Sequence, residues 1–147
     1  MAQGKFAAQV GAWVAKTKAR QEAVFKESAQ RVIVVMQTPV AKGGNLPVDT
    51  GFLRASLMAT IGPPTASTTP NPGGEGKHSY DAGAVSLVIA NASITDTITV
   101  VYTANYARFQ EYGAHGKPGR RFVALAAQQW QAIVAEVARE AQARAGG

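Results

Sequence analysis

The sequence predicts an α+β fold: a long N-terminal helix, a small antiparallel β-sheet, a short helix and a C-terminal helix packed on the sheet. Three observations predict it. Apolar residues near both ends of the chain recur at spacings of three, four and seven, the period of a helix with one buried stripe. Three stretches in the middle alternate apolar and polar side chains, the period of a half-buried strand. The chain has 147 residues, the length of one domain, and 46% of them are apolar, enough for a core. Residues 1–147 are therefore expected to form a single domain, with a flexible Pro/Gly-rich loop at 62–83.

Residues 4–37 read as one helix. Phe6, Val10, Trp13, Val14, Val24, Phe25, Val32, Val35 and Met36 keep near one stripe, and Pro39 stops the helix. Such a helix spans roughly 50 Å, more than a domain of this size needs, so part of it is expected to project or to pack on a neighbouring subunit. Two shorter helices with a bend near residues 16–22 are the other reading. Residues 39–50 form a loop. Leu53, Ala55, Leu57, Ala59 and Ile61 then alternate with Arg54, Ser56, Met58 and Thr60 and predict the first strand. Residues 62–83 hold Pro63, Pro64, Pro70 and Pro72 among glycines, serines and threonines, and predict a long loop. Val85, Leu87 and Ile89 predict a second strand, Ile98, Val100 and Tyr102 a third, and the short Asn91-Ala92-Ser93 connection an antiparallel hairpin. Residues 104–112 read as a short helix ending at Gly113. A Gly- and Arg-rich loop (113–121) leads to the last helix, Phe122 to Ala143, with Phe122, Leu125, Ala126, Trp130, Ile133, Val134 and Val137 on its apolar face.

The formal net charge of +6 is unevenly placed. Residues 1–38 carry six basic against two acidic side chains, and residues 104–121 carry four against one. The rest of the chain sums to −1. Charge alone leaves two readings open: cationic surfaces for DNA or an acidic protein ring, or a solvated helix face and a mobile basic loop. There is no cysteine, which excludes disulfide scaffolds, Cys-based zinc sites and thiol nucleophiles. No apolar run of about 18 residues predicts a membrane helix. The first residues, Met1-Ala2-Gln3-Gly4-Lys5, lack an apolar signal core and read as mature cytosolic sequence.

The polar residues offer no catalytic constellation. His78 and His115 each lie in a loop with no nearby second ligand at metal spacing. Residues 113–121 lack the Gly-Lys-Ser/Thr ending of a nucleotide loop, and Gly-x-Ser-x-Gly is missing. The loop could instead place Lys117, Arg120 and Arg121 on a DNA backbone, although no aromatic platform for single strands is interleaved with them. No enzymatic activity, catalytic residue, cofactor or metal is expected.

Two segments carry a resemblance. Pro47-Val48-Asp49-Thr50-Gly51-Phe52-Leu53-Arg54-Ala55-Ser56-Leu57 is followed by Tyr106-Ala107-Arg108-Phe109-Gln110-Glu111-Tyr112-Gly113, then by a basic loop and Arg121-Phe122. In this order they resemble the neck and tail-completion proteins of long-tailed bacteriophages. There a Val-Asp-Thr-Gly-x-Leu-Arg-x-Ser segment opens the first strand, and Tyr-Ala-x-x-x-Glu-x-Gly follows the central hairpin. The likeness covers the chain in order except residues 62–83. It departs before the last helix, where the family often has Pro-Phe-Leu-x-Pro-Ala and this chain has Arg121-Phe122-Val123-Ala124-Leu125-Ala126.

The resemblance implies a structural virion protein in a homo-oligomeric ring at the head–tail interface, a hexamer in preference to a dodecamer. It implies assembly in the host cytoplasm, neighbours among head-closure, connector, tail-terminator or tail-tube proteins, and double-stranded DNA passing through by non-specific contact. No membrane is implied. Asp49, Thr50, Arg54, Tyr106, Arg108, Glu111 and Tyr112 become candidates for subunit or partner contact. Lys16, Lys18, Arg20, Lys117, Arg120 and Arg121 become candidates for facing DNA. Arg54 and Glu111 are expected to meet, within one subunit or across a boundary. Tyr106 and Tyr112 are expected to pin the short helix to the sheet. The alternative is a small basic nucleic-acid-binding accessory protein.

Overall fold

Strands β1 (Leu57–Ile61) and β2 (Ile98–Tyr102) pair antiparallel, with Leu57 opposite Tyr102 and Ile61 opposite Ile98. They form the central sheet of a computed structural model that describes residues 2–65 and 67–146. Around the sheet lie α1 (Ala2–Gln37), α3 (Ala82–Asn91) and α5 (Phe122–Gln128). The architecture is α+β, as the sequence predicts.

Helix α1 is continuous and is not split near residues 16–22. The polar stretch there is bridged along the helix. The Thr17 hydroxyl donates to the Trp13 carbonyl at 3.0 Å, and Glu22–Lys26 and Glu27–Arg31 pair one turn apart. Ala29, Ile33 and Met36 of α1 meet Leu57, Val85, Ile89 and Ala126 in the main core. A smaller core joins Leu46, Leu53, Ala104 and Phe122. The perpendicular pair Phe122–Tyr102, centroids 5.1 Å apart, links the two.

The expected strand beginning at residue 52 starts as a helical turn, α2 (Phe52–Ala55). Gly51 sits at φ +85, which turns the chain before it can extend. Leu53 and Leu57 then lie four apart and point into different cores. A side chain at Gly51 would strain the backbone and place its Cβ 2.6 Å from the His78 carbonyl oxygen. Gly51→Ala is expected to destabilise the fold by about 2 kcal/mol or more. Urea denaturation of the two chains checks this, and a change within experimental error would contradict it.

The expected strand over Val85–Ile89 is instead helix α3, so the hairpin with residues 98–102 does not form. The Asp81 carboxylate accepts from the Ala84 amide at 3.0 Å and starts the helix. Val85 and Ile89, four apart, are buried. Such a short apolar run satisfies either period, and the cap and the adjoining β1 decide it. The connection from β1 to α3 is tied at two points. The Thr69 amide donates to the Thr103 carbonyl at 2.6 Å, and the His78 amide to the Thr50 carbonyl at 2.8 Å.

Helix α4 (Ala107–Tyr112) ends at Gly113, φ +96, as predicted. The Gly/Arg-rich segment is not a plain loop. It folds into a short ribbon of β3 (Gly113–Ala114) and β4 (Lys117–Pro118). The last helix is broken at Gln129 into α5 and α6 (Trp130–Gly146). Helix α6 packs along α1, clamped by Arg31, whose guanidinium donates to both carboxylate oxygens of Glu140 at 3.3 and 2.6 Å. Arg31 holds the Glu140 carboxyl below its ordinary range. The pair therefore contributes at neutral pH, and its contribution is lost as acid protonates Glu140. Among the described residues no helix is long and apolar enough to cross a membrane.

Candidate functional site

Three surfaces collect the residues of interest. The first is the N-terminal half of α1. Residues 5–20 are almost wholly exposed, while the domain packs on α1 from residue 21 onward. Phe6 and Trp13 are each 67% exposed, and Val10 and Val14 stand in solvent beside them. Lys16, Lys18 and Arg20 extend from this same arm. Where the arm meets the domain, α1 and α6 enclose an apolar groove of about 510 Å³. Val24, Phe25, Ile94, Trp130, Val134 and Ala138 line it, and Arg20 lies at its rim. Trp130, expected on a buried face, is 36% exposed there.

The second surface is the β3–β4 ribbon and the face of α4 beside it. Gly113 and Gly119 let the ribbon fold tightly, since a Cβ on Gly119 would lie 2.2 Å from the Glu111 carbonyl oxygen. The Arg120 amide donates to the Gln110 carbonyl at 2.7 Å and the Arg121 amide to the Glu111 carbonyl at 3.1 Å. These bonds fix the backbone and leave the side chains of Lys117, Arg120 and Arg121 exposed. Arg108 is exposed on α4. Phe109, 56% exposed, lines a cleft of about 550 Å³ with His115, Lys117 and Arg120. Tyr112 is 75% exposed and pins nothing to the sheet. Two exposed aromatics thus flank the cationic ribbon, an arrangement that reading the loop by itself misses. Their position three apart on the preceding helix, Phe109 and Tyr112, is the signal in the sequence. The arm and the ribbon are separate surfaces: α1 packs on α3, α5 and α6, and the ribbon packs on α4.

The third group is the motif residues, and most of them turn inward. Within the chain Arg54 and Glu111 do not pair. The Arg54 Nε donates to the Gln37 carbonyl at 2.9 Å, and its guanidinium stacks 5.2 Å from the centre of the Tyr80 ring. Gln37 returns a bond from its amide to the Arg54 carbonyl and accepts from the Tyr102 hydroxyl at 2.5 Å. Burial pushes the Tyr102 phenol upward, so it stays neutral and donating. Glu111 is buried, and its two carboxylate oxygens accept from the Val123 and Ala124 amides, both at 2.9 Å. It is a cap for α5. Thr50 accepts from the Phe52 amide through its hydroxyl at 3.4 Å. Tyr106 packs against Phe52 of α2, with centroids 6.1 Å apart, and ties the start of α4 to that turn and the smaller core, where a strand was the expected partner. Asp49 is exposed at the mouth of a small cavity that Leu53 and Tyr106 also line.

Among the described residues no cluster of three or more His, Cys, Asp or Glu side chains is placed to hold a metal ion. His78 stands edge-on to Phe52 at 5.2 Å, and His115 is in the ribbon turn at φ +52. Comparison of the chain with protein-family models, curated proteins and solved structures finds no significant match.

Proposed function

We propose that this chain is a structural subunit of a phage virion, forming a ring at the head–tail interface through which DNA passes. The observation that carries the reading is the arm. A helix that leaves its domain with Phe6, Val10, Trp13 and Val14 in solvent is built to be completed by a neighbour. The two motif segments and their order support the phage neck and tail-completion assignment. The ring is a homo-oligomer, with a hexamer favoured over a dodecamer, and it joins connector or head-closure proteins on one side to tail-terminator or tail-tube proteins on the other. The test is the composition of purified particles. The protein is expected in a fixed stoichiometry of six or twelve copies, and absence from intact virions would sink the reading.

A second reading, nucleic-acid contact, is favoured by the ribbon. Lys117, Arg120, Arg121 and Arg108 are exposed together, and the nearby acid, Glu111, is buried. Such a surface holds phosphates without reading bases. Replacing Lys117 and Arg120 by Glu is expected to weaken duplex binding equally for unrelated sequences. The loss of two phosphate contacts lowers the slope of log affinity against log salt by about 2. Unchanged salt dependence, measured by fluorescence anisotropy, would remove the ribbon from DNA contact. A steep slope together with absence from particles would favour a DNA-binding accessory protein over a ring subunit.

A further inference from the structure

We infer that the arm of one copy docks in the α1–α6 groove of the next copy, head to tail. The inference takes its occupant, a second copy, from the ring reading above, and the two can fail separately. The arm's apolar residues follow a narrow seam. Phe6, Val10 and Trp13 are spaced by four and then three, and Thr17 continues the spacing to the end of the arm. That is the seam of a helix that packs on other helices, narrower than the broad apolar face of a helix lying on a membrane. The groove is its counterpart. Helices α1 and α6 form its walls with Ile94 beside them, its lining is mostly apolar, and two of its lining side chains, Phe25 and Trp130, are aromatic. A concave site of this kind is filled by a knob from another helix and not by a flat bilayer or a phosphate backbone.

Area and length agree with this choice. The exposed parts of Phe6, Val10, Trp13 and Val14 amount to ~400 Å² of surface. That is an exposed apolar patch on one helix face, of the size that marks an interaction site. Residues 5–20 form a helical segment of ~24 Å, and α6 is about as long. A segment of this length is marginally helical in water by itself, and Gly11 weakens it further. Docking supplies what its own sequence does not. Because arm and groove are different surfaces, each copy offers one of each, and repetition of the contact closes a ring if the rotation permits.

The test uses the full chain in complementary variants. Trp13→Glu disables the arm and leaves the groove intact. Val134→Glu disables the groove and leaves the arm intact, and Ala138→Glu serves as the second groove variant should Val134→Glu fail to fold by circular dichroism. Light scattering is expected to show self-association of the wild type, weakened about tenfold or more in each single variant. An equimolar mixture of an arm variant and a groove variant is expected to give dimers and nothing larger. Variants that associate like the wild type overturn the inference, as does a mixture that stays monomeric or a wild type that is monomeric throughout. Loss of duplex or anionic-vesicle binding in Trp13→Glu with association unchanged also overturns it, and assigns the arm to that partner instead. A protein stoichiometric in particles but monomeric in these mixtures leaves the ring reading standing without this contact. Arm-dependent oligomers in a protein absent from particles do the reverse.

Discussion

Phe122→Ala is expected to cost about 3–5 kcal/mol, the largest loss of any single substitution considered for this domain. Phe122 is 1% exposed and belongs to the smaller core, yet its ring stands perpendicular to Tyr102, which faces the larger one. Removing it opens a cavity where the two cores meet. The loop at Leu46, the turn at Leu53 and the Ala104 segment would each lose a packing partner. The site has little means of collapsing, because Arg121 just before it is held at φ +51 and the α5 amides just after it are bonded to Glu111. A domain of this size is stable by roughly 5–15 kcal/mol, so about a fifth or more of the total is at stake. Thermal and urea unfolding followed by circular dichroism would show it, and a loss below about 1 kcal/mol would contradict the two-core account. Phe122→Leu, which keeps much of the volume, is expected to lose far less.

Helical periods were the most legible part of the sequence. The seam of α1, its stop at Pro39 and the end of α4 at Gly113 were readable because a proline, a glycine and a long regular spacing each act locally. The short apolar runs were not. Val85 to Ile89 alternates well enough for a strand, but Asp81 caps the segment and the partner strand of Ile98–Tyr102 comes from residues 57–61. Neither the cap nor the pairing is visible in a window of six residues. The same holds for Phe52–Ala55, where Gly51 decides the conformation before side-chain alternation can.

Arg54 and Glu111 were legible as charged types and misplaced in role within the chain. A buried acid and an arginine in recurrent motifs suggest an ion pair, yet each is used by a backbone: Arg54 by the Gln37 carbonyl, Glu111 by two amides of α5. Motif residues of this kind hold the domain in shape. The exposed apolar surfaces are the first half of the α1 seam, which no motif marks, and the aromatic flank of the ribbon, where Phe109 and Tyr112 of the second motif segment stand in solvent. Sequence spacing located the seam, but only packing could tell that its first half stands in solvent among the described residues.

Glu111→Ala is expected to destabilise the domain by about 2–3 kcal/mol, more than an ordinary surface cap. Its carboxylate accepts from the second and third amides of α5, the donors that a helix leaves unsatisfied at its start. No side chain of the preceding residue, Arg121, performs this role. The bonds are charge-assisted, and the negative charge also faces the positive end of the helix. Removing the side chain strands two part-buried amides next to Phe122, so loss of the cap also loosens the packing between the cores. Glu111→Gln keeps one acceptor oxygen without the charge and is expected to lose roughly half as much. The decisive comparison is the charge exchange. If Arg54 and Glu111 formed a pair, Arg54→Glu combined with Glu111→Arg would recover stability relative to the single variants. Because the two residues serve different backbones, the double variant is expected to lose about the sum of both. A clear recovery in urea unfolding of the double variant would restore the ion pair and remove Glu111 from its role as the cap of α5.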